Sequence, residues 1–139
     1  MAHRARQRGV RLCRRNGARQ IVAFASAGTE REKDPVYKGE MYALYVLKEY
    51  QRRGIGRQLV AMIARRLSEN GLANMLIWVL AENPACVFYA ALGGKPAREK
   101  MIAIGGKKLR EVGYGWDDLT GLTAVPLAQS AFSESADIR

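Results

Sequence analysis

Glu40-Met41-Tyr42-Ala43-Leu44-Tyr45-Val46-Leu47, followed shortly by Gln51-Arg52-Arg53-Gly54-Ile55-Gly56, is the stretch on which the reading of this chain turns. The first run has few polar positions, as expected of a strand covered on both faces. From Ile55 onward, apolar residues recur at Leu59, Met62, Ile63 and Leu67, the spacing of a helix that reaches Asn70. Between the two lies a basic turn with two glycines. Strand, glycine-containing turn and helix N-terminus together make a geometry that binds pyrophosphate. The first-turn amides have no intrahelical partner and point outward at the positive end of the helix dipole. Arg52, Arg53 and Arg57 add charge around that cradle, and a guanidinium can hold two phosphate oxygens at once. At Gly54 and Gly56 a larger residue would block close approach or the required dihedrals.

Other phosphate-binding patterns fit less well. A dinucleotide-binding fingerprint needs a third small residue where Leu59 stands, and an acidic residue further on where Asn70 to Met75 has none. There is no Gly-Lys-Ser/Thr, which excludes a P-loop.

Outward from this stretch, turn signals divide the chain. Asn16-Gly17 predicts a hairpin between Val10–Arg15 and Arg19–Ala25. A polar connection with Pro35 leads to the central strand. Gly71 stands where a helix C-terminus favours glycine, and Met75 to Ala81 reads as a buried strand. Asn83 and Pro84 are a cap and a first-turn proline for a short helix that ends at Gly93-Gly94. Gly105-Gly106 predicts a second hairpin between Lys100–Ile104 and Lys107–Tyr114. Hairpin, strand, helix, strand, helix, hairpin is a mixed α/β sheet with one parallel crossover. Beyond Leu119 the Ser/Ala-rich sequence predicts a loose tail.

At 139 residues the chain is one domain with a core of its own. A hydrophobic content of 48% and a mean hydropathy of −0.21 are those of a soluble globular protein. No apolar run approaches the ~18 residues of a membrane span. Cys13 and Cys86 are too few for a disulfide framework, so a reducing, cytoplasmic setting is expected. The net charge of +10 is concentrated in Met1–Gln20, which holds seven arginines and no acids. The remainder is only mildly basic, which suits a polyanionic ligand without requiring a nucleic acid.

The Gln-x-x-Gly-x-Gly run at Gln51–Gly56, after an apolar strand and before an amphipathic helix, resembles the acetyl-coenzyme A signature of the GNAT N-acetyltransferase superfamily. Asn83-Pro84-Ala85-Cys86-Val87-Phe88-Tyr89-Ala90-Ala91-Leu92-Gly93-Gly94 is similar to its second signature, with Gly94 where an aromatic is usual. The resemblance runs from Gln20 to Leu119. It implies a GNAT-like acyltransferase domain over 20–119, which composition flanks with an Arg-rich leader over 1–19, carrying a possible edge strand, and a flexible tail over 120–139. It also implies an N-terminally shortened variant of the fold. The family carries a first strand and two helices ahead of the hairpin, where about 20 residues stand here; a shortened form, a partner subunit or a truncated reading frame would each account for this.

The implied activity is transfer of an acetyl group from acetyl-coenzyme A to a primary amine, without a covalent enzyme intermediate. The backbone of Tyr45, Val46 and Leu47 would pair with the pantetheine arm. Gln51, Arg52, Arg53, Gly54, Ile55, Gly56 and Arg57 would take the pyrophosphate, and Asn83 and Phe88 would complete the cofactor site. Tyr89 stands where the family commonly places the acid that protonates the leaving thiolate, and Glu40 resembles a glutamate that serves as base in some members. Glu82, acting through water, is a second candidate base.

Each has a plainer alternative, Tyr89 as a packed helix tyrosine and Glu40 as a strand-end carboxylate; Cys86, close enough in sequence to Tyr89 to approach the thioester, reads better as a small buried hydrophobe. His3 lies in the leader, and one histidine with two distant cysteines builds no metal site. Tyr42, Tyr45, Trp78, Tyr114 and Trp116 either line a pocket or pack the sheet. The expected partner is a small-molecule or peptide amine, with no membrane, and a homodimer is left open because dimers are common in the family. Two rival readings stand beside this one: a coenzyme A-binding sensor or inactive relative, and, ranked last, a nucleic-acid-binding module led by the arginine arm.

Overall fold

Three alanines explain where the first long helix sits. In the computed structural model, which describes residues 9–124 and 133–134, strand β2 (Ile21–Thr29) turns Ala23, Ala25 and Ala27 to one side of the sheet. Their small side chains let helix α1 (Ile55–Glu69) approach closely, and Leu59, Ile63 and Leu67 pack over them in one core. β1 (Val10–Arg15) pairs antiparallel with β2, and β2 with β3 (Gly39–Val46). α1 carries the chain to β4 (Met75–Leu80), parallel to β3. Helix α2 (Ala85–Ala91) then leads to β5 (Lys95–Ile104) and β6 (Lys107–Trp116), and β6 inserts beside β4. The sheet order is β5-β6-β4-β3-β2-β1-β7, where β7 (Ser133–Glu134) pairs with Leu12 and Cys13 of β1. Both helices share the core with Met41, Met75, Ile77, Tyr89 and Trp116, and so lie on the same face.

Most expected elements are present, and the differences have local causes. The first hairpin does not use a two-residue turn. The Asn16 side chain accepts hydrogen bonds from the amides of Ala18 (2.9 Å) and Gln20 (3.0 Å), and the left-handed residue is Arg19 (φ 68°) rather than Gly17. The second hairpin does turn on two left-handed glycines, Gly105 (φ 57°) and Gly106 (φ 81°). β5 begins at Lys95 and not at Lys100; Pro96 hides the strand in the sequence but is tolerated because β5 is an edge strand. α1 ends as expected, with Gly71 at φ 85° and Leu72 N–H donating to Leu67 O (2.9 Å). A short helix α3 (Thr120–Thr123) stands where a tail without regular structure was expected, because Leu119 and Leu122 are buried in the core. Of the leader, residues 1–8, including His3, lie outside what is described, as does the tail beyond Ala124 apart from β7. No helix among the described residues is long and apolar enough to cross a membrane.

Candidate functional site

β3 and β4 pair over only two rungs, Gly39–Met75 and Glu40–Leu76, and then part. Each stays paired on its other side, β3 to β2 through Val46 and β4 to β6 through Leu80. The strands therefore open like a wedge, and the second half of β3 has a free backbone edge. A bulge controls what that edge presents. Ala27 opposes Met41 while Ser26 opposes Ala43, so Tyr42 is an extra residue on β3. Parity reverses across it: Met41 faces the helices before the bulge, and Leu44 and Val46 do so after it.

The Leu47 amide donates to Val22 O of β2 (2.8 Å). By strand alternation the backbone groups of Leu44 and Val46 then face the wedge. The Leu47 amide, one of the expected cofactor contacts, is occupied. Gln51 Nε2 donates to Val46 O (3.0 Å), tying the turn to the end of the strand.

At the wide end of the wedge lies the basic turn. Arg52 (φ 64°) and Gly54 (φ 83°) both adopt left-handed conformations. Gly54 has no side chain to cap α1, and the first helical bond, Gln58 N–H to Gly54 O (3.0 Å), leaves the amides of Ile55, Gly56 and Arg57 outside the ladder. Gly56 serves a different end: a Cβ there would meet the Phe88 ring at 3.2 Å, so glycine lets that ring pack closely against the start of α1. The result is a cavity of about 580 Å³ lined by Leu44, Val46, Gln51, Arg52, Gly54, Gly56, Arg57, Asn83, Pro84, Ala85, Phe88 and Tyr89. Arg52 stores strain of about 1 kcal/mol by being a non-glycine in this conformation. Arg52→Gly is expected to raise the melting temperature by roughly 3 °C while weakening binding of inorganic pyrophosphate. A variant no more stable than its parent would show that the turn is unstrained.

Of the residues expected at the site, Tyr45, Leu47, Arg53 and Ile55 do not line this cavity. Tyr45 points to the opposite face, its ring tilted against that of Phe24 and 50% exposed. Arg53 lies over the Tyr50 ring (4.8 Å), and Ile55 is buried in the core. Leu44, Pro84 and Ala85 line the cavity without having been singled out; the two-residue period from Val46 and the helix start after Asn83 were the available signals. Asn83 Oδ1 accepts the Ala85 N–H (2.8 Å), so it caps α2 as expected. Glu82 is exposed and lines a separate hollow with Leu80, Ala81, Leu109 and Arg110. The Cys86 thiol is half-buried and donates to Leu80 O (3.5 Å).

Tyr89 sits in an aromatic nest, edge-on to Trp116 (6.3 Å) and to Phe88 (5.1 Å), and is 5% exposed. Burial, reinforced by the neighbouring Cys86, pushes its hydroxyl up to about 12. A phenol that stays protonated in the fold but ionises near pH 10 when unfolded supports stability fully below pH 10. That support is lost as pH rises toward 12. Thermal unfolding followed from pH 9 to 12 should show the midpoint falling above pH ~10; a flat profile would contradict the burial of this group.

Glu40 does not line the cavity. It lies at the apex of the wedge on the face away from the helices, 2% exposed, with both oxygens engaged by Arg31. Among the described residues no cluster of histidine, cysteine and acidic side chains could hold a metal ion.

A family model described as FR47-like protein matches residues 17–103. An uncharacterized N-acetyltransferase, YuaI of Bacillus subtilis (strain 168), is 42% identical over 102 residues, which cover 73% of this chain and 59% of that protein. The chain thus spans somewhat over half of that relative's length. Among solved structures, Arabidopsis thaliana NAA60 in complex with acetyl-CoA superposes with a TM-score of 0.61 at 18% identity, over 73% of this chain and 70% of its own. The ribosomal-protein-alanine N-acetyltransferase from Brucella melitensis does so with a TM-score of 0.62 at 20% identity, over 74% and 65%. At these identities the structures speak for the fold alone.

Proposed function

Since the chain belongs to the FR47-like family of GNAT acetyltransferases, we propose that it moves an acetyl group from acetyl-coenzyme A to an amine by direct attack, with both substrates bound together. The observation that carries this reading is the wedge between β3 and β4 with an anion cradle at its wide end. Its residues fit the cofactor. The wedge-facing backbone of Leu44 and the amide of Val46, whose carbonyl Gln51 already engages, can pair with the amide-bearing pantetheine arm as a further strand would. The amides of Ile55 to Arg57, with Arg52 and Arg57, suit a pyrophosphate, and Phe88, Pro84 and Ala85 offer an apolar wall.

Acetyl-coenzyme A supplies the thioester; the chain supplies position and polarisation. In this reading a wedge-facing amide, of Leu44 or Val46, polarises the thioester carbonyl. Tyr89 lines the same cavity and keeps its proton at neutral pH. A phenol held that high is a weaker acid than a thiol of ordinary pKa ~8.5. It therefore acts chiefly by donating a hydrogen bond as charge builds on the departing sulfur. The helices close one face of the wedge, so the amine approaches from the other, where Glu40 lies. With both oxygens held by Arg31, Glu40 acts through that pair, and water takes the amine's proton.

Calorimetric titration of the purified protein with acetyl-coenzyme A, beside free and dephospho-coenzyme A, tests this. Binding near ~1–10 μM, about −7 to −8 kcal/mol, followed by thiol release with an amine panel, is expected. A folded protein that binds none of the three sinks the proposal. Binding without thiol release across a broad panel leaves a cofactor sensor.

A further inference from the structure

The face of the sheet opposite the helices is crossed by the segment 30–38, which ties the two sides of the wedge together. On one side Arg31 pairs with Glu40 of β3. On the other, Glu32 pairs with Lys100 (2.7 Å) and Asp34 with Arg98 (2.7 Å), both on β5. Lys100 also lies over the Trp78 ring (4.2 Å), and Tyr37 donates to Asp117. Lys100 and Arg98 are half-buried as well as paired.

Arg31 is different. Its backbone amide and Nε donate to Glu40 Oε1 (3.1 and 3.3 Å), and Nη2 donates to Oε2 (2.8 Å). Its plane lies over the Tyr42 ring (4.2 Å), and the Tyr42 hydroxyl is itself fixed by donating to Thr29 O (2.6 Å). Yet the Arg31 side chain is 60% exposed, while that of Glu40 is almost wholly buried. A buried carboxylate cannot release its cation without a large penalty, so this guanidinium is a fixed donor. One edge is anchored, and its outward Nη1 edge makes no hydrogen bond among the described residues. It stands over the last rung before the strands part, on the side left open to the amine.

We propose that the acceptor is a small amine bearing a carboxylate, an amino acid in chemical class, and that the outward edge of Arg31 holds that carboxylate while the amine lies over the wedge. A guanidinium presents two parallel N–H groups to a carboxylate, and one immobilised beforehand loses little freedom on binding. Arg31 is thus a positioning residue that determines acceptor choice, and Glu40 and Tyr42 hold it in place. This rests on the acetyltransferase reading above.

The test compares thiol release with amino acids and with their matched carboxamides. The acids are expected to be favoured at least about tenfold in kcat/KM, carried by KM. Arg31→Lys keeps a cation beside Glu40 but loses the two-point fork, and should reduce that preference below about threefold. In the unaltered enzyme, the deaminated analogue of the best acceptor should compete with the acceptor and not with acetyl-coenzyme A. Equal rates for acid and amide, or a preference that Arg31→Lys leaves intact, overturns the assignment, as does a deaminated acid that fails to compete. If acetyl-coenzyme A binds and amines are acetylated without regard to a carboxylate, only the role of Arg31 falls. If acetyl-coenzyme A does not bind, the acetyltransferase reading falls with it.

Discussion

Replacing Tyr89 by Phe is expected to lower turnover by about 100-fold while changing the dissociation constant for acetyl-coenzyme A by less than about threefold. The ring packs against Phe88, Tyr114 and Trp116, so Phe keeps the shape of the nest and removes only the hydroxyl. If that hydroxyl stabilises charge that forms on sulfur only during the reaction, its loss falls on kcat and spares ground-state binding. The same variant should lose the Tyr89 share of the instability above pH 10, since no phenol remains there to ionise. An unchanged turnover number would remove Tyr89 from the mechanism and leave it a core residue.

Gly39→Ala is expected to destabilise the fold by about 2–3 kcal/mol, a fall in melting temperature of about 10 °C for a domain of this size. A Cβ at Gly39 would meet Asn74 O at 2.6 Å and Leu67 Cδ1 at 3.1 Å. The first of these is backbone and cannot rotate away. Gly39 also makes one of the two rungs that join β3 to β4, so the added methyl prises open the apex of the wedge. Cofactor affinity should fall with stability. Gly17→Ala is the control: nothing lies within 4 Å of its Cβ position, and its effect should stay within about 0.5 kcal/mol. Equal melting temperatures for Gly39→Ala and the parent would mean that the two halves of the sheet are not held by this junction.

The elements of the site were legible because each has a local cause. Arg52 to Gly56 read as an anion cradle from the glycines and the helix that follows. Asn83-Pro84 read as a helix start from capping chemistry, and Gly71 as a helix end from the preference for glycine just past a helix C-terminus. The family resemblance implies cofactor pairing along the backbone of Tyr45, Val46 and Leu47. The bulge at Tyr42 and the bond from Leu47 to Val22 redirect that edge to Leu44 and Val46. Nothing in Met41-Tyr42-Ala43 marks a bulge, because a bulge is defined by the partner strand. Glu40 read as a candidate base from its position, but its state is set by Arg31, nine residues earlier, across a loop whose path the sequence leaves open.

The sequence by itself determined most of the strands, the two principal helices, the glycine-containing turn and the family, because periodicity, capping and turn chemistry act over a few neighbouring residues. The tertiary structure alone decided that β3 and β4 part after two rungs, that β6 rather than β5 lies beside β4, and that Arg31 and Glu40 form one unit at the apex. Those outcomes depend on which strands meet and on which buried charge finds a partner. Pairing and burial are settled only when distant segments compete for the same sheet.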